Sequence, residues 1–240
     1  MLSTGRSDLS FGPEGRERPL MVRRSRQARR MRLSVDPRNG AVTLSLPWRA
    51  SLGAALEWAN GQRGWIESAL ANIPQARPIV PGGIFPFEGK DLIVDWSPDR
   101  PRSVRREPDR LVFGGPRDAV ASRLLGWARR QALATLERET RAIAEQAGVT
   151  VGRVGVGDPR ARWGSCAANG DIRYSWRLIM APVFVRRSTV AHEVAHRVHM
   201  DHSPAFHALA AKLYGGDPDV ARAWLRTNGS ALHWVGREGS

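Results

Sequence analysis

The most informative stretch of the chain spans residues 190–202 and reads VAHEVAHRVHMDH. His192 and His196 are four residues apart, so on an α-helix they lie one turn apart on one face. Two imidazoles in this arrangement can converge on one Zn²⁺ at about 2.0–2.1 Å. Glu193 lies about 100° around the helix from His192 and can take a proton from a metal-activated water without being a ligand. The stretch therefore predicts a zinc site with His192 and His196 as ligands and Glu193 as general base.

An ordinary surface helix is the alternative interpretation of the same residues. Val190, Val194 and Val198 would then form an apolar stripe against the core, with the two histidines exposed on the other side. Glu193 would pair with Arg197, four residues later, in solvent. By composition, one HExxH match arises by chance in roughly one protein per hundred of this length, so the neighbouring sequence has to decide.

A catalytic zinc site needs a third protein ligand and an open fourth position. We predict that His202 is this ligand, because it directly precedes a Ser-Pro helix start that turns the chain back over the site. Asp201 is a weaker candidate. His199 lies about 10 Å along the helix axis from the first histidine of the motif, so we expect it to support the site from outside or to be exposed. Two further histidines are predicted to be packing or surface residues, His207 and His233.

The pattern along the chain predicts an α+β fold with a β-rich N-terminal half. Apolar residues alternate with polar ones on both sides of a turn at Asp36–Gly40, which predicts a β-hairpin over residues 31–46. Helical spacing follows over Leu52–Ile73, weakened by glycines in its middle. Three short strands are predicted after it, at Phe85–Phe87, Asp91–Trp96 and Leu111–Phe113.

The C-terminal half has helical periodicity. A long connecting helix is predicted over Asp118–Ala147, with Gly148 as its cap. Two strands, Thr150–Val156 and Asp171–Trp176, form a small sheet on either side of a loop that contains Arg162–Cys166. Three helices are predicted to begin at Pro182, at Ser203-Pro204 and at Asp217-Pro218.

Composition indicates a folded protein and excludes several classes. The 240 residues are 42% hydrophobic and 25% charged, which is typical of globular domains. No run of 18 apolar residues and no signal-peptide core is present, so we expect no membrane association. The single cysteine, Cys166, excludes an internal disulfide framework, and the chain is expected to be cytoplasmic.

The net charge of +14 comes from 37 basic residues, of which all but two are arginines. Six arginines fall within Arg23–Arg32, with no acidic residue among them. A positive stripe on a hairpin can contact nucleic acid through its phosphates. The alternative is a solvated strand face in a chain of arginine-rich composition.

Four motifs together resemble the YgjP-like metallopeptidase family, which is related to the SprT-like zinc proteases. The motifs are Arg162–Cys166, Ile172–Pro182, His192–His196 and Asp201–Phe206, and the resemblance extends over roughly residues 18–235. It implies a zinc-dependent peptidase acting on protein or peptide substrates, with His192, His196 and His202 as metal ligands and Glu193 as general base. Composition and periodicity along the chain indicate a flexible tail (1–17), a β-rich region (18–115) and a C-terminal region with the HExxH helix and a small sheet (116–240). The resemblance implies that this C-terminal region is a zincin-like metallopeptidase domain.

Other residues near the motif have two interpretations each. The strand beside the zinc helix can offer its edge to a substrate, and Gly164 can allow close approach of a backbone; alternatively, Trp163 and Trp176 are core aromatics and Gly164-Ser165 is a turn. Cys166 is expected to be a small buried hydrophobe or a regulatory thiol on zinc. Either Arg162 or Arg177 can stabilise an oxyanion or form a structural salt bridge.

A second function class remains open on the sequence alone. It is a nucleic-acid-associated protein with a structural metal, or a protease acting on DNA-bound proteins. The number of ligands distinguishes the first of these from a peptidase, because a structural zinc has four protein ligands whereas a catalytic zinc keeps one position open.

Overall fold

A computed structural model describes residues 9–11, 18–159 and 161–238 of the chain. The structure has two compact units, which divide after Gln75. Most of the predicted tail, residues 1–17, lies outside the described residues, although Leu9–Phe11 form a strand, β1. The β-rich region predicted over 18–115 spans parts of both units, and the predicted boundary at 115/116, which rests on composition, stays a prediction.

The described residues of unit 1, up to Gln75, form a four-stranded sheet and two helices. Besides β1, the elements are β2 (Arg18–Ser25), β3 (Arg32–Val35), β4 (Val42–Pro47), α1 (Leu52–Gly61) and α2 (Arg63–Ala71). The sheet has the order β1-β2-β4-β3, in which β2 runs parallel to β4 and β3 antiparallel to it.

Local sequence explains the elements of unit 1. The predicted hairpin is confirmed as β3 and β4, and Gly40 in the turn between them has a positive φ of 69°. Val42, Leu44 and Leu46 alternate with more exposed residues, so one face of the sheet packs on the helices. The predicted helix is interrupted at Gln62, where the glycines had weakened the pattern.

The described residues of unit 2, from Ala76, form two small sheets and four α-helices. The strands are β5 (Ile84–Phe87), β6 (Lys90–Trp96), β7 (Arg105–Arg106), β8 (Arg110–Phe113), β9 (Val154–Gly157), β10 (Gly164–Cys166) and β11 (Ile172–Ser175). One sheet has the order β5-β6-β8-β7 and the other the order β10-β11-β9. The helices are α3 (Val120–Gln146), α4 (Val183–Ala195), α5 (Pro204–Tyr214) and α6 (Pro218–Leu232).

The long helix α3 is the scaffold of unit 2, and its buried face packs in the core with β11 and α4. Thr140 shares a buried hydrogen bond of 3.0 Å with the hydroxyl of Tyr174 on β11. Glu139 accepts hydrogen bonds from Arg186 on α4, whose side chain is 2% exposed. These paired contacts hold α4, and with it the HExxH motif, in one register against α3 and the small sheet.

The predicted α+β architecture is confirmed, with local differences around the small sheet. The strand predicted from Thr150 begins at Val154, and the predicted loop Arg162–Cys166 contains a strand, β10. Strand β10 forms because a tight turn with Gly170 at φ 90° folds it back onto β11, a pairing that short-range periodicity does not reveal. Within the described parts of the chain, no helix has the length and apolarity that a membrane span requires.

Candidate metal centre

The turn between α4 and α5 determines the position of the third predicted ligand. Helix α4 ends at Ala195 with His196 as its C-terminal cap, and the chain then turns through backbone hydrogen bonds. Helix α5 starts at Pro204, where the Ser203 hydroxyl accepts the backbone N–H of Phe206 at 3.3 Å. His202 therefore precedes a fixed helix start and lies opposite the histidines of α4.

The structure brings His192, His196 and His202 together. One ring nitrogen from each lies within 4.8 Å of the others, and Nε2 of His192 is 3.4 Å from Nε2 of His202. Two nitrogen ligands at about 2.0–2.1 Å from a tetrahedral zinc lie roughly 3.3–3.4 Å apart, so this spacing fits a shared zinc ion. In the described residues, the group comprises these three side chains.

Phe206, on the first turn of α5, supports the three imidazoles. It is fully buried, and its ring centroid lies 4.9 Å from that of His192, 4.4 Å from that of His196 and 4.9 Å from that of His202. A single apolar ring in contact with three imidazoles restricts their rotamers and excludes water from one side of the cluster. Sequence reasoning missed this role, although Phe206 lies within one of the recognised motifs.

A backbone carbonyl orients His196. Its Nδ1 is 3.1 Å from the carbonyl oxygen of His199, so the ring with a protonated Nδ1 donates to that oxygen. The other nitrogen, Nε2, is then free of hydrogen and available as a ligand. His199 thus supports the site through its main chain, while its imidazole lies outside the cluster.

Burial favours the neutral form of His192 and His196. It lowers the pKa of His192 to about 4, and the positive charges of the neighbouring histidines act in the same direction. Burial also lowers the pKa of His196. Because a metal binds the neutral imidazole, these two side chains can bind a cation near neutral pH without prior loss of protons.

Glu193 is buried beside the cluster, which contradicts the surface-helix interpretation. Its side chain is 5% exposed, and burial raises its pKa to about 7 against the weaker opposing effect of the Arg162 charge. Arg197 does not pair with it but donates to the carbonyls of Thr150 and Ala168, at 3.1 and 3.3 Å. Val198 follows the helix end and is exposed, so the predicted valine stripe stops at Val194.

Gly164 on β10 makes room for Glu193. A Cβ atom placed at Gly164 would lie 2.4 Å from Oε1 and 2.6 Å from Cγ of Glu193, closer than such atoms approach in proteins. The prediction of a close approach at this glycine is therefore supported, but the approaching group is the carboxylate of the chain itself. The interpretation of Gly164-Ser165 as a turn is wrong, since both residues lie in a strand.

Strand β10 is an edge strand of the small sheet, whereas β11 is its central strand. The Trp163 carbonyl accepts the N–H of Ser175, and the Ala167 N–H donates to the Asp171 carbonyl. In an antiparallel pair only every second residue forms hydrogen bonds with the partner strand. The backbone N–H and C=O groups of Gly164 and Cys166 therefore point away from β11. The predicted substrate-binding edge thus moves from Asp171–Trp176 to Gly164–Cys166.

A cleft of about 520 Å³ opens beside the carboxylate and His192. Its walls come from the start of β10 and from α4, α5 and α6. Apolar side chains and two arginines contribute to the lining, among them Trp163, Ala210, Ala211, Leu225, Arg162 and Arg222. A cavity of this size and shape can hold one or two side chains of an extended peptide.

The two candidate arginines have different environments. Arg177 is buried and makes two hydrogen bonds to Asp158, at 2.8 and 3.0 Å, and one to the Leu232 carbonyl. It is a structural residue. Arg162 is exposed and lines the cleft together with Glu193.

The remaining candidates lie outside the cluster. Asp201 is exposed and accepts the N–H of Ser203 at 3.1 Å, which shapes the turn. His207 lines the cleft, and His233 is buried against Trp163. Cys166 is half-buried at the edge of the core, where burial raises the pKa of its thiol. An elevated thiol pKa does not favour a metal-binding thiolate.

Comparison with known protein families gives a match over most of the chain. A family model described as YgjP-like, metallopeptidase domain, matches residues 29–228. The matched range covers more than half of the chain and includes the three clustered histidines, Glu193 and Gly164. No curated protein and no solved structure gives a significant match.

Proposed function

The chain belongs to the YgjP-like metallopeptidase domain family, and on that premise we propose that it is a zinc-dependent peptidase that cleaves protein or peptide substrates. The cluster of three imidazoles beside a buried carboxylate carries this proposal. His192, His196 and His202 would hold the zinc. Glu193 would act as general base.

The residues of the chain suit this reaction. A zinc ion held by the three imidazoles would supply Lewis-acid chemistry at the scissile carbonyl and at a water molecule. Glu193 accepts the proton of the attacking water and returns it to the leaving amine. Gly164 keeps the carboxylate in place, and the free edge of β10 can pair with an extended substrate backbone.

Arg162 is our candidate for stabilising the negative charge that develops on the scissile carbonyl. Its side chain lines the cleft, and its positive charge already acts on Glu193. Arg177, the alternative, has its hydrogen bonds committed to Asp158 and Leu232 and lies inside the protein.

The ligand set favours a catalytic metal over a structural one. A structural zinc is closed by four protein ligands, and the described cluster has three. Asp201, the spare acid, is engaged by the backbone of Ser203. The second function class, a nucleic-acid-associated protein with a structural metal, therefore lacks its fourth ligand among the described residues.

Zinc content and cleavage of a generic protein substrate, measured on the wild type and three variants, test the proposal. We expect about one zinc per chain in the wild type and loss of zinc in His192→Ala/His196→Ala. Glu193→Gln should keep zinc and lose roughly 10²-fold or more in cleavage rate. Glu145→Gln, the same change at an exposed carboxylate on α3, is the matched control and should be silent.

Two outcomes would contradict the assignments. Zinc loss in Glu193→Gln would make this residue a ligand instead of a base. Full zinc retention in the double histidine variant would remove the metal from the cluster.

A further inference from the structure

The arginine run of unit 1 collects at one end of its sheet. Strands β2 and β4 are parallel, with Ser25 opposite Pro47, so the residues that follow them leave the sheet at the same end. The connection from β2 to β3 must pass the end of β4, because β4 lies between these two strands. The result is a surface that we name the basic edge: Arg26, Arg29, Arg30, Arg32, Trp48 and Arg49.

Net positive charge per residue is higher in residues 18–75 than in residues 76–240. Residues 18–75 contain ten arginines and three carboxylates, whereas residues 76–240 contain 25 basic and 17 acidic residues. An arginine-rich composition alone would give both segments a similar ratio of basic to acidic residues. It therefore does not explain the excess of arginines over carboxylates in residues 18–75.

The three carboxylates of residues 18–75 lie away from the basic edge. Asp36 is in the turn at the opposite end of β3 and pairs with Arg38 at 2.8 Å. Glu57 and Glu67 are on the two helices. The segments that form the basic edge, residues 18–34 and 42–50, contain no carboxylate to neutralise it.

An exposed tryptophan lies within this positive surface. Trp48 is 49% exposed, and the guanidinium carbon of Arg26 is 5.4 Å from the centroid of its ring. Arg24 donates from Nη1 to the carbonyls of Trp48 and Ala50, both at 2.8 Å, which fixes the backbone that carries the indole. Beside it is an open groove of about 500 Å³ lined by Arg26, Ala28, Pro47, Trp48 and Arg49.

We infer that the basic edge of unit 1 is a binding site for single-stranded nucleic acid. The arginines contact successive phosphates, and an unpaired base stacks on the indole of Trp48 beside Arg26. A duplex keeps its bases stacked inside the helix, so it can use the charge of this surface but not the indole. This activity is independent of the proposed peptidase, because every residue that it uses lies in unit 1.

Fluorescence anisotropy with a labelled 20-nucleotide oligodeoxythymidine and the full-length, zinc-loaded protein tests the inference. We expect binding whose affinity falls linearly with salt on logarithmic axes. Trp48→Ala should weaken binding at least about fivefold. Trp65→Ala is the matched control, because Trp65 is also 49% exposed in unit 1 but lies on α2, and this change should be silent.

Charge reversal separates the basic edge from the net charge of the whole protein. Arg29→Glu/Arg30→Glu should weaken binding at least about tenfold and make the salt dependence shallower. Arg130→Glu/Arg138→Glu makes the same charge change at exposed positions of α3 and should have a much smaller effect. Circular dichroism checks that each variant folds.

Three results would overturn the inference. One is the absence of oligonucleotide binding at low salt while vesicles of phosphatidylglycerol are bound. Another is an equal loss of oligonucleotide affinity in Arg29→Glu/Arg30→Glu and in Arg130→Glu/Arg138→Glu. The third is duplex binding as tight as single-strand binding with no effect of Trp48→Ala.

Discussion

At the scale of single residues, the least expected part of the site is a glycine. Gly164 has no side chain to offer, yet its missing Cβ is the space that the carboxylate of Glu193 occupies. The geometry of the proposed general base therefore depends on a residue in another element, about thirty positions earlier in the chain. What this position requires is the absence of a side chain, because any Cβ atom there would overlap with Glu193.

Gly164→Ala tests this dependence. The added methyl group cannot coexist with Glu193 in its present position, so the carboxylate or β10 must move. We expect cleavage to fall by up to about 10²-fold with zinc content unchanged, since a displacement of about 1 Å can cost this much. Gly155→Ala on β9, where a Cβ meets no atom within 4 Å, is the control. Unchanged cleavage in Gly164→Ala would show that Glu193 does not need its present position.

The two arginines should separate stability from catalysis. Arg177→Ala removes hydrogen bonds to Asp158 and Leu232 inside the protein, so we expect a loss of about 1.5–3 kcal/mol in the free energy of unfolding. Arg162→Ala removes an exposed side chain, so the melting temperature should stay the same while cleavage falls at least about tenfold. Thermal denaturation measures the stability of both variants, and kcat/KM measures their cleavage activity. Equal cleavage in wild type and Arg162→Ala would exclude Arg162 from the reaction.

At the scale of elements, the turn between α4 and α5 brings the three histidines of the candidate metal centre together. Helix α4 supplies two imidazoles with fixed spacing, but the third is on a short segment whose path depends on the start of α5. The Ser203 cap and the Phe206 ring both act on that start. Disturbing α5 should therefore weaken metal binding without touching a ligand.

Phe206→Ala should show this effect. It removes the ring that contacts all three imidazoles, and we expect a loss of roughly 3–5 kcal/mol in the free energy of unfolding together with weaker zinc binding. Phe206→Leu fills more of the space than Phe206→Ala, so it should retain more of the free energy of unfolding and more of the zinc affinity. Zinc affinity measured by competition with a chelator, at a temperature where each variant is folded, is the readout. An unchanged zinc affinity in Phe206→Ala would mean that the three imidazoles do not depend on the Phe206 ring for their positions.

At the scale of the whole molecule, the two units have separate hydrophobic cores. The core of unit 1 contains residues such as Leu44 and Ile66, whereas that of unit 2 extends from Ile79 to Val235. All three clustered histidines and Glu193 belong to unit 2.

The fragment 76–240 should accordingly fold and bind zinc. We expect it to retain about one zinc per chain, because every proposed ligand and the Phe206 ring are present. Metal analysis and a cooperative thermal transition check this. A fragment that is unfolded with zinc present would show that unit 2 needs unit 1 to fold.

Sequence periodicity predicts most elements of this fold because their stabilising contacts are local. The hairpin of β3 and β4, the break between α1 and α2, and the N-caps of α5 and α6 are all visible as turn and capping residues. Strand β10 was missed because three residues are too few to show a period, and its partner β11 is what makes it a strand.

The sequence by itself determined the spacing of the two motif histidines, because a helix fixes the angle and distance between positions i and i+4. It also indicated His202, since a Ser-Pro helix start limits the path of the chain. Only the tertiary structure decided that Glu193 is buried, that Gly164 gives it space and that Phe206 contacts all three imidazoles. These are contacts between different elements, and they exist only once α3 and the small sheet have fixed the position of α4.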